Sequence, residues 1–223
     1  MRSQRTLMPA HGGYRKLKSF QVAQLVYDVT VRFCDRYIDK RNRTHDQMVQ
    51  AARSGVQNIA EGSVASGTSK KMELKLTNVA RASLEELRLD YEDYLRQRGL
   101  AKSPPDDPAL KRFKALRCAT VAEVKEWVAA ERKLVKEART DTDRHGRTPD
   151  SQRTSSTNRV SVSERRCASV PSSAQLVANG ALSLLNLCCY FLDQQLATLE
   201  KNFLAEGGFT ERLYRARTQS RRK

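Results

Sequence analysis

Apolar side chains recur in steps of three and four along most of this chain, and that spacing commits it to helices. From Tyr14 to about Lys40 the stripe is Phe20, Val22, Ala23, Val26, Val29, Thr30, Phe33, Tyr37 and Ile38. Lys40, Arg41 and Arg43 end it with cations, which suit a helix C-terminus. Thr44 to Gln47 reads as a capping box for a second helix carrying Met48, Ala52, Val56, Ile59 and Ala60. Its small residues Ala51, Ala52, Ser54 and Gly55 let a neighbour approach closely, and Glu61-Gly62 is expected to break it.

Thr68 or Ser69 caps a third helix that runs to about Gly99, a natural residue just past a helix end. Its inner stripe is Leu76, Ala80, Ser83, Leu87, Tyr91 and Tyr94. Ser103 to Pro108 is a turn that a helix does not cross. A fourth helix follows with Phe113, Leu116, Val124, Trp127 and Val128, dividing near Cys118 to Thr120. Short loops between helices of this length predict an all-α chain whose residues 14–136 form an antiparallel up-down four-helix bundle. Residues 1–13 read as a flexible N-terminal arm. Residues 137–173, rich in Ser, Thr, Arg and Asp, bury too little to offset the entropy of ordering and are expected to be a disordered linker. Residues 174–223 read as a helical suffix segment with a basic tail, the helix carrying Leu176, Leu182, Leu185, Leu192, Leu199 and Phe203.

No charge occurs between Arg166 and Asp193, so this last helix meets the length test for a membrane span. Gln175, Asn179 and Asn186 interrupt it with amides that are costly in lipid, which points to burial in protein and to a cytoplasmic chain without a membrane partner. Asn179 and Asn186 are seven residues apart; on one face they either fix register at a seam or point to solvent.

Lys and Arg total 41 against 25 Asp and Glu, a net charge of +16. A polyanionic partner such as nucleic acid explains such an excess; solvated basic tails are the other explanation. Cys34, Cys118, Cys167, Cys188 and Cys189 are odd in number and irregular in spacing, so neither a disulfide framework nor a metal site is expected. Cys188 and Cys189 sit in an apolar run and read as small buried hydrophobes. The three histidines, His11, His45 and His145, have no partner at catalytic spacing, and no phosphate-cradling glycine loop is present. The expectation is a non-enzymatic protein that needs no cofactor.

Two groups of polar residues stand out. On antiparallel helices Asn58 and Glu61 meet Ser83 or Glu86, either as a polar binding site or as a hydrogen-bonded structural network that sets helix register. Arg15, Lys16, Lys18, Arg53, Lys70, Lys71, Lys75 and Arg81 are the candidate nucleic-acid-binding residues, where phosphate contact needs cations gathered on a face.

The run Gln47 to Gly62 (QMVQAARSGVQNIAEG) followed by Ala80 to Leu87 (ARASLEEL) resembles the four-helix bundle proteins of the 23S ribosomal RNA intervening-sequence family, which include accessory proteins of diversity-generating retroelements. The likeness covers Tyr14 to about Leu100 well and the fourth helix loosely, and residues 174–217 resemble a suffix segment carried by some members. The resemblance implies a ring-like homo-pentamer, a basic surface for RNA or DNA, in retroelement members a reverse-transcriptase partner, and no catalysis. Gln50 stands where the family often has Arg, and Gly55-Val56-Gln57 replaces an Ile-Pro-like step. Three functional readings follow. The chain is an oligomeric nucleic-acid-binding accessory protein, or it is a protein-interaction scaffold whose suffix helix docks a protein partner; the third and least favoured is a membrane-associated protein anchored by the suffix.

Overall fold

The computed structural model describes residues 12–145 and 171–207, together with 211, 213–215 and 217–218. Residues 1–11 of the expected arm, 146–170 of the expected linker and most positions after 207 lie outside the described residues. Every regular element among those described is helical. A 3₁₀ turn, Tyr14–Lys16, leads into α1 (Lys18–Tyr37), α2 (Arg43–Ala65), α3 (Lys70–Gln97), α4 (Pro108–Leu116), α5 (Val121–His145) and α6 (Ser173–Glu206).

The helix ends follow local chemistry. Asn42, rather than Thr44, caps α2: its side chain accepts from the Thr44 N–H at 3.0 Å, so the helix starts ahead of the expected box. Ser69 caps α3 by accepting from the Met72 N–H at 3.2 Å. Gly99, at φ 61°, is the residue that turns the chain out of α3. Asp107 accepts from the N–H groups of Ala109 and Leu110, with Pro108 in the first helical position of α4. Arg117 at φ 50° closes α4, and the predicted division therefore falls between Leu116 and Val121. Two boundaries differ from expectation. Helix α2 continues through Gly62 to Ala65, because Gly62 serves close packing: a Cβ there would lie 3.3 Å from the Glu73 carbonyl oxygen. Helix α5 runs to His145, past the linker boundary expected at 137.

One core links all six α-helices, with α4 joining through Phe113. Phe33 packs its ring against Tyr91 and Tyr94 at centroid distances of 4.9 and 4.7 Å. The Tyr91 hydroxyl, fully buried, donates to Thr30 Oγ1 at 3.1 Å, and Thr30 donates to the Val26 carbonyl at 2.7 Å. The chain supplies a partner for each buried polar group in this relay, as burial demands.

Helix α6 lies against both α1 and α3 of its own chain. The Cys188 thiol sits 3.4 Å from the Ser19 carbonyl, Ser19 Oγ donates to Gln195 at 2.9 Å, and Asp193 pairs with Arg81. Near its other end Asn179 accepts from the Ser103 N–H at 2.8 Å and donates to the Ala101 carbonyl at 3.1 Å. Asn179 thus anchors the helix to the loop after α3 while Asn186 is exposed, so the two asparagines do not act as a pair. The sequence left open what the helix of residues 174–223 packs on; in the structure α6 lies along α1 and α3, and α4 and α5 pack against α6. Arg112 of α4 donates twice to the buried Glu131 of α5, at 2.7 and 2.5 Å, and Phe113 packs tilted against Trp127 at a centroid distance of 4.5 Å. Gly180 of α6 admits this pair: a Cβ there would be 3.1 Å from the Trp127 ring.

Candidate nucleic-acid interface

The eight cations singled out in the sequence do not form one face. Arg15, Lys16 and Lys18 are exposed at the entry to α1, with Arg15 over the Tyr14 ring at 5.3 Å. The Gly12 N–H donates to the Ser63 carbonyl at 3.1 Å, which brings this entry to the end of α2, where the chain turns into α3. Lys70 and Lys71 begin α3, and Lys75 lies one turn further, so five or six of the eight gather toward one end of the molecule. Lys71, Lys75 and Arg53 are exposed. Two are already engaged: Lys70 pairs with Glu73 at 3.1 Å, and Arg81 faces α6 and pairs with Asp193.

The polar network also takes a particular form. Asn58 donates to the Ser54 carbonyl at 2.9 Å and to its hydroxyl at 3.1 Å, and Ser54 meets the Ser83 hydroxyl at 3.0 Å. Ser54, read in the sequence only as a small packing residue, is the hinge of the network. Glu61 and Glu86 are exposed on the two helices and stand apart from it.

The buried thiols are poor nucleophiles. Burial pushes Cys34 up to about 12, and burial likewise raises Cys188, so both stay protonated. Cys34, Cys188 and Cys189 are buried as small apolar residues, while Cys167 lies outside the described residues. His45 has Nδ1 3.2 Å from Asp46 and Nε2 3.5 Å from Asp35, contacts that tie the end of α1 to the start of α2.

Two concavities flank α1. The larger, about 1480 Å³, lies between α1, α4 and α6. Its rim carries Lys18, Lys102, Lys114, Arg117 and Asp28. Lys102 is held by Glu92 at 2.7 Å and Lys114 donates to the Pro105 carbonyl at 2.9 Å, and Asp28 on the same rim offsets part of the remaining charge. The smaller, about 330 Å³, lies between α1, α5 and the start of α6. Arg32 and Arg36 of α1 face Lys125 and Arg132 of α5 across it, and among the described residues no acidic one lines it. All four are exposed, and among the described residues none is in an ion pair. Arg36 sits over Tyr37 at 5.8 Å, and Arg132 donates to Ser173 at 3.0 Å. The floor is apolar, with Val29, Phe33, Val124 and Val128. Sequence reasoning missed these four cations because they come from helices about 90 residues apart; the signal present was spacing, four residues in α1 and seven in α5, which puts each pair on one helix face.

Comparison of the chain with protein-family models, with curated proteins and with solved structures finds no match.

Proposed function

We propose that this chain is a non-enzymatic, cytoplasmic helical protein that binds RNA or DNA through a basic surface, as an accessory factor working in a homo-oligomer. The observation that carries the reading is the combination of a +16 net charge with exposed cations that internal ion pairs leave uncommitted, at the α1 entry, at the α3 start and around the α1–α5 cleft. Summed over copies of the chain, such charges make a field that attracts polyanions without reading sequence. Helices α1, α2, α3 and α6 are assigned as an antiparallel four-helix bundle. The Ser54–Ser83 contact with the Gly62–Glu73 approach supports opposite directions for α2 and α3, and the pairings of Asp193 with Arg81 and Asn179 with Ala101 support the same for α6 and α3. The sequence resemblance adds a pentamer and a reverse-transcriptase partner to the proposal.

The scaffold reading loses ground on one observation: Leu182, Leu185, Cys188 and Leu192 of α6 are buried in the chain's own core, which leaves only the outer edge at Leu187 and Tyr190 and the last turns for docking. The same burial bears on the membrane question. Helix α6 is long and apolar enough to span a membrane by length and composition, but over half of that window is buried inside the protein.

The test is the solution mass of the nucleic-acid-stripped full-length chain, with and without structured RNA and duplex DNA. The proposal expects a closed oligomer that gains mass with nucleic acid at low salt and loses it at high salt. An oligomer that ignores both ligands at every salt concentration transfers the assignment to the scaffold.

A further inference from the structure

The α1–α5 cleft has the chemistry of a more specific ligand than a polyanionic surface needs. A duplex backbone asks only for cations and makes no use of an apolar floor. Here four cations stand around a slot of about 330 Å³ floored by Val29, Phe33, Val124 and Val128. That volume is at the low end for small-ligand pockets, and suits one flat ring system rather than a helix of nucleic acid. Tyr37, half-buried at its edge, adds a second ring beside Phe33 at a centroid distance of 5.2 Å, with Arg36 over it. Arg32 and Arg36 rise about 6 Å apart along α1, and Lys125 and Arg132 about 10 Å apart along α5, by the 1.5 Å rise of a helix. Two cationic rails on either side of an apolar slot thus follow a chain of phosphates while a base enters between them.

We infer that this cleft binds a single-stranded nucleic acid segment, its phosphates on Arg32, Arg36, Lys125 and Arg132 and one unpaired base inserted on the valine floor against Tyr37. The inference rests on the nucleic-acid reading above and deepens it. An unpaired base exposes its faces to an apolar or aromatic surface, whereas in a duplex those faces are already stacked. The four rim cations are exposed, so replacing them leaves the core intact.

The experiment uses the full chain, fluorescein-labelled twenty-residue uridine RNA and thymidine DNA strands, the corresponding duplexes, and an abasic strand. One variant carries Arg32→Gln, Arg36→Gln, Lys125→Gln and Arg132→Gln; a second removes the same charge through Arg15→Gln, Lys16→Gln, Lys71→Gln and Lys75→Gln. Thermal melting verifies that both are folded. The wild type is expected to bind single strands at least tenfold more tightly than duplex or abasic strand, a margin in keeping with stacking of one base. The cleft variant loses that margin and the second variant keeps it. The RNA and DNA arms report which strand is preferred, and either preference fits. Tyr37→Leu keeps the floor apolar and is expected to narrow the gap between the thymidine and abasic strands about fivefold or more. Equal losses in the two variants, or equal binding of duplex and single strand, overturn the cleft and leave the basic-surface reading standing. A wild type that binds none of the probes at low salt overturns both.

Discussion

At the residue scale, two positions carry consequences that oppose simple rules. Gly55 lies inside α2, where alanine ordinarily gains about 0.5–1 kcal/mol over glycine. A Cβ at this position would lie 2.6 and 2.7 Å from Cδ2 and Cγ of Leu84, which is fully buried. Overpacking of that kind costs about 1–3 kcal/mol and outweighs the propensity gain. Gly55→Ala is therefore expected to lower the melting temperature by several degrees; a rise would show that α2 and α3 have room between them. Asp90 is the second. Desolvation, with the Glu86 and Asp93 charges beside it, raises its pKa from 3.8 to about 6. The folded state then holds this proton more tightly than the unfolded chain does. Between pH 4 and 6 the native state binds more protons, so this group's contribution to stability falls as pH rises through that window. Asp90→Asn removes the loss, and it is expected to raise the melting temperature at pH 7 and to change it little at pH 4. Equal shifts at both pH values would contradict the assignment.

At the element scale, α6 decides how the molecule holds together. Leu182, Leu185 and Leu192 are buried, and at about 1.5–3 kcal/mol for each leucine their burial contributes roughly 5–9 kcal/mol, comparable with a whole domain's net stability. A chain ending at residue 170 is accordingly expected to lose its cooperative thermal transition and to bind hydrophobic dyes; a truncated chain that melts sharply within a few degrees of the full one would show α6 to be an appendage. The helices themselves, a cap at Thr68 or Ser69, the Gly99 exit and a break near Cys118 to Thr120 were legible in the sequence, because each is a local matter of spacing and capping. Which helix packs beside α1 and α3 was not legible. Periodicity shows that a helix has an apolar face and says nothing about what covers it, and both Phe113–Trp127 and Leu182–Leu192 offered such a face. The charge-free stretch between Arg166 and Asp193 was the pointer to the more buried helix. For the candidate site, Asn58 and Ser83 could be read from opposed helices, but Ser54 between them could not, since a serine among alanines looks like packing. Arg81 looked available because Asp193 comes from a distant helix, whereas Glu73, one turn from Lys70, was within reach of the sequence.

At the scale of the whole molecule, the question is whether the charge acts as a diffuse field or through a few placed contacts, and salt dependence separates the two. For single strands the slope of log affinity against log salt is about −0.7 for each phosphate neutralised. Binding confined to Arg32, Arg36, Lys125 and Arg132 engages about four phosphates for each strand held in a cleft, and the slope is then near −3 by that relation. Binding that also recruits Arg15, Lys16, Lys18, Arg53, Lys71 and Lys75, the sequence-predicted cations not held in ion pairs, engages about ten and steepens the slope to roughly −7. In the closed oligomer proposed, repeated copies leave the first value unchanged for a short strand seated in one cleft, while the second grows with strand length as neighbouring copies are engaged. Fluorescence anisotropy over 50–300 mM salt, with strands of about six and thirty residues, measures both. A shallow slope that is the same for both lengths places recognition in the cleft, with the net charge of +16 serving mainly to speed encounter. A steep slope that rises with length places affinity in the summed surface. Affinity that does not respond to salt would mean that the excess of Lys and Arg serves something other than a polyanion.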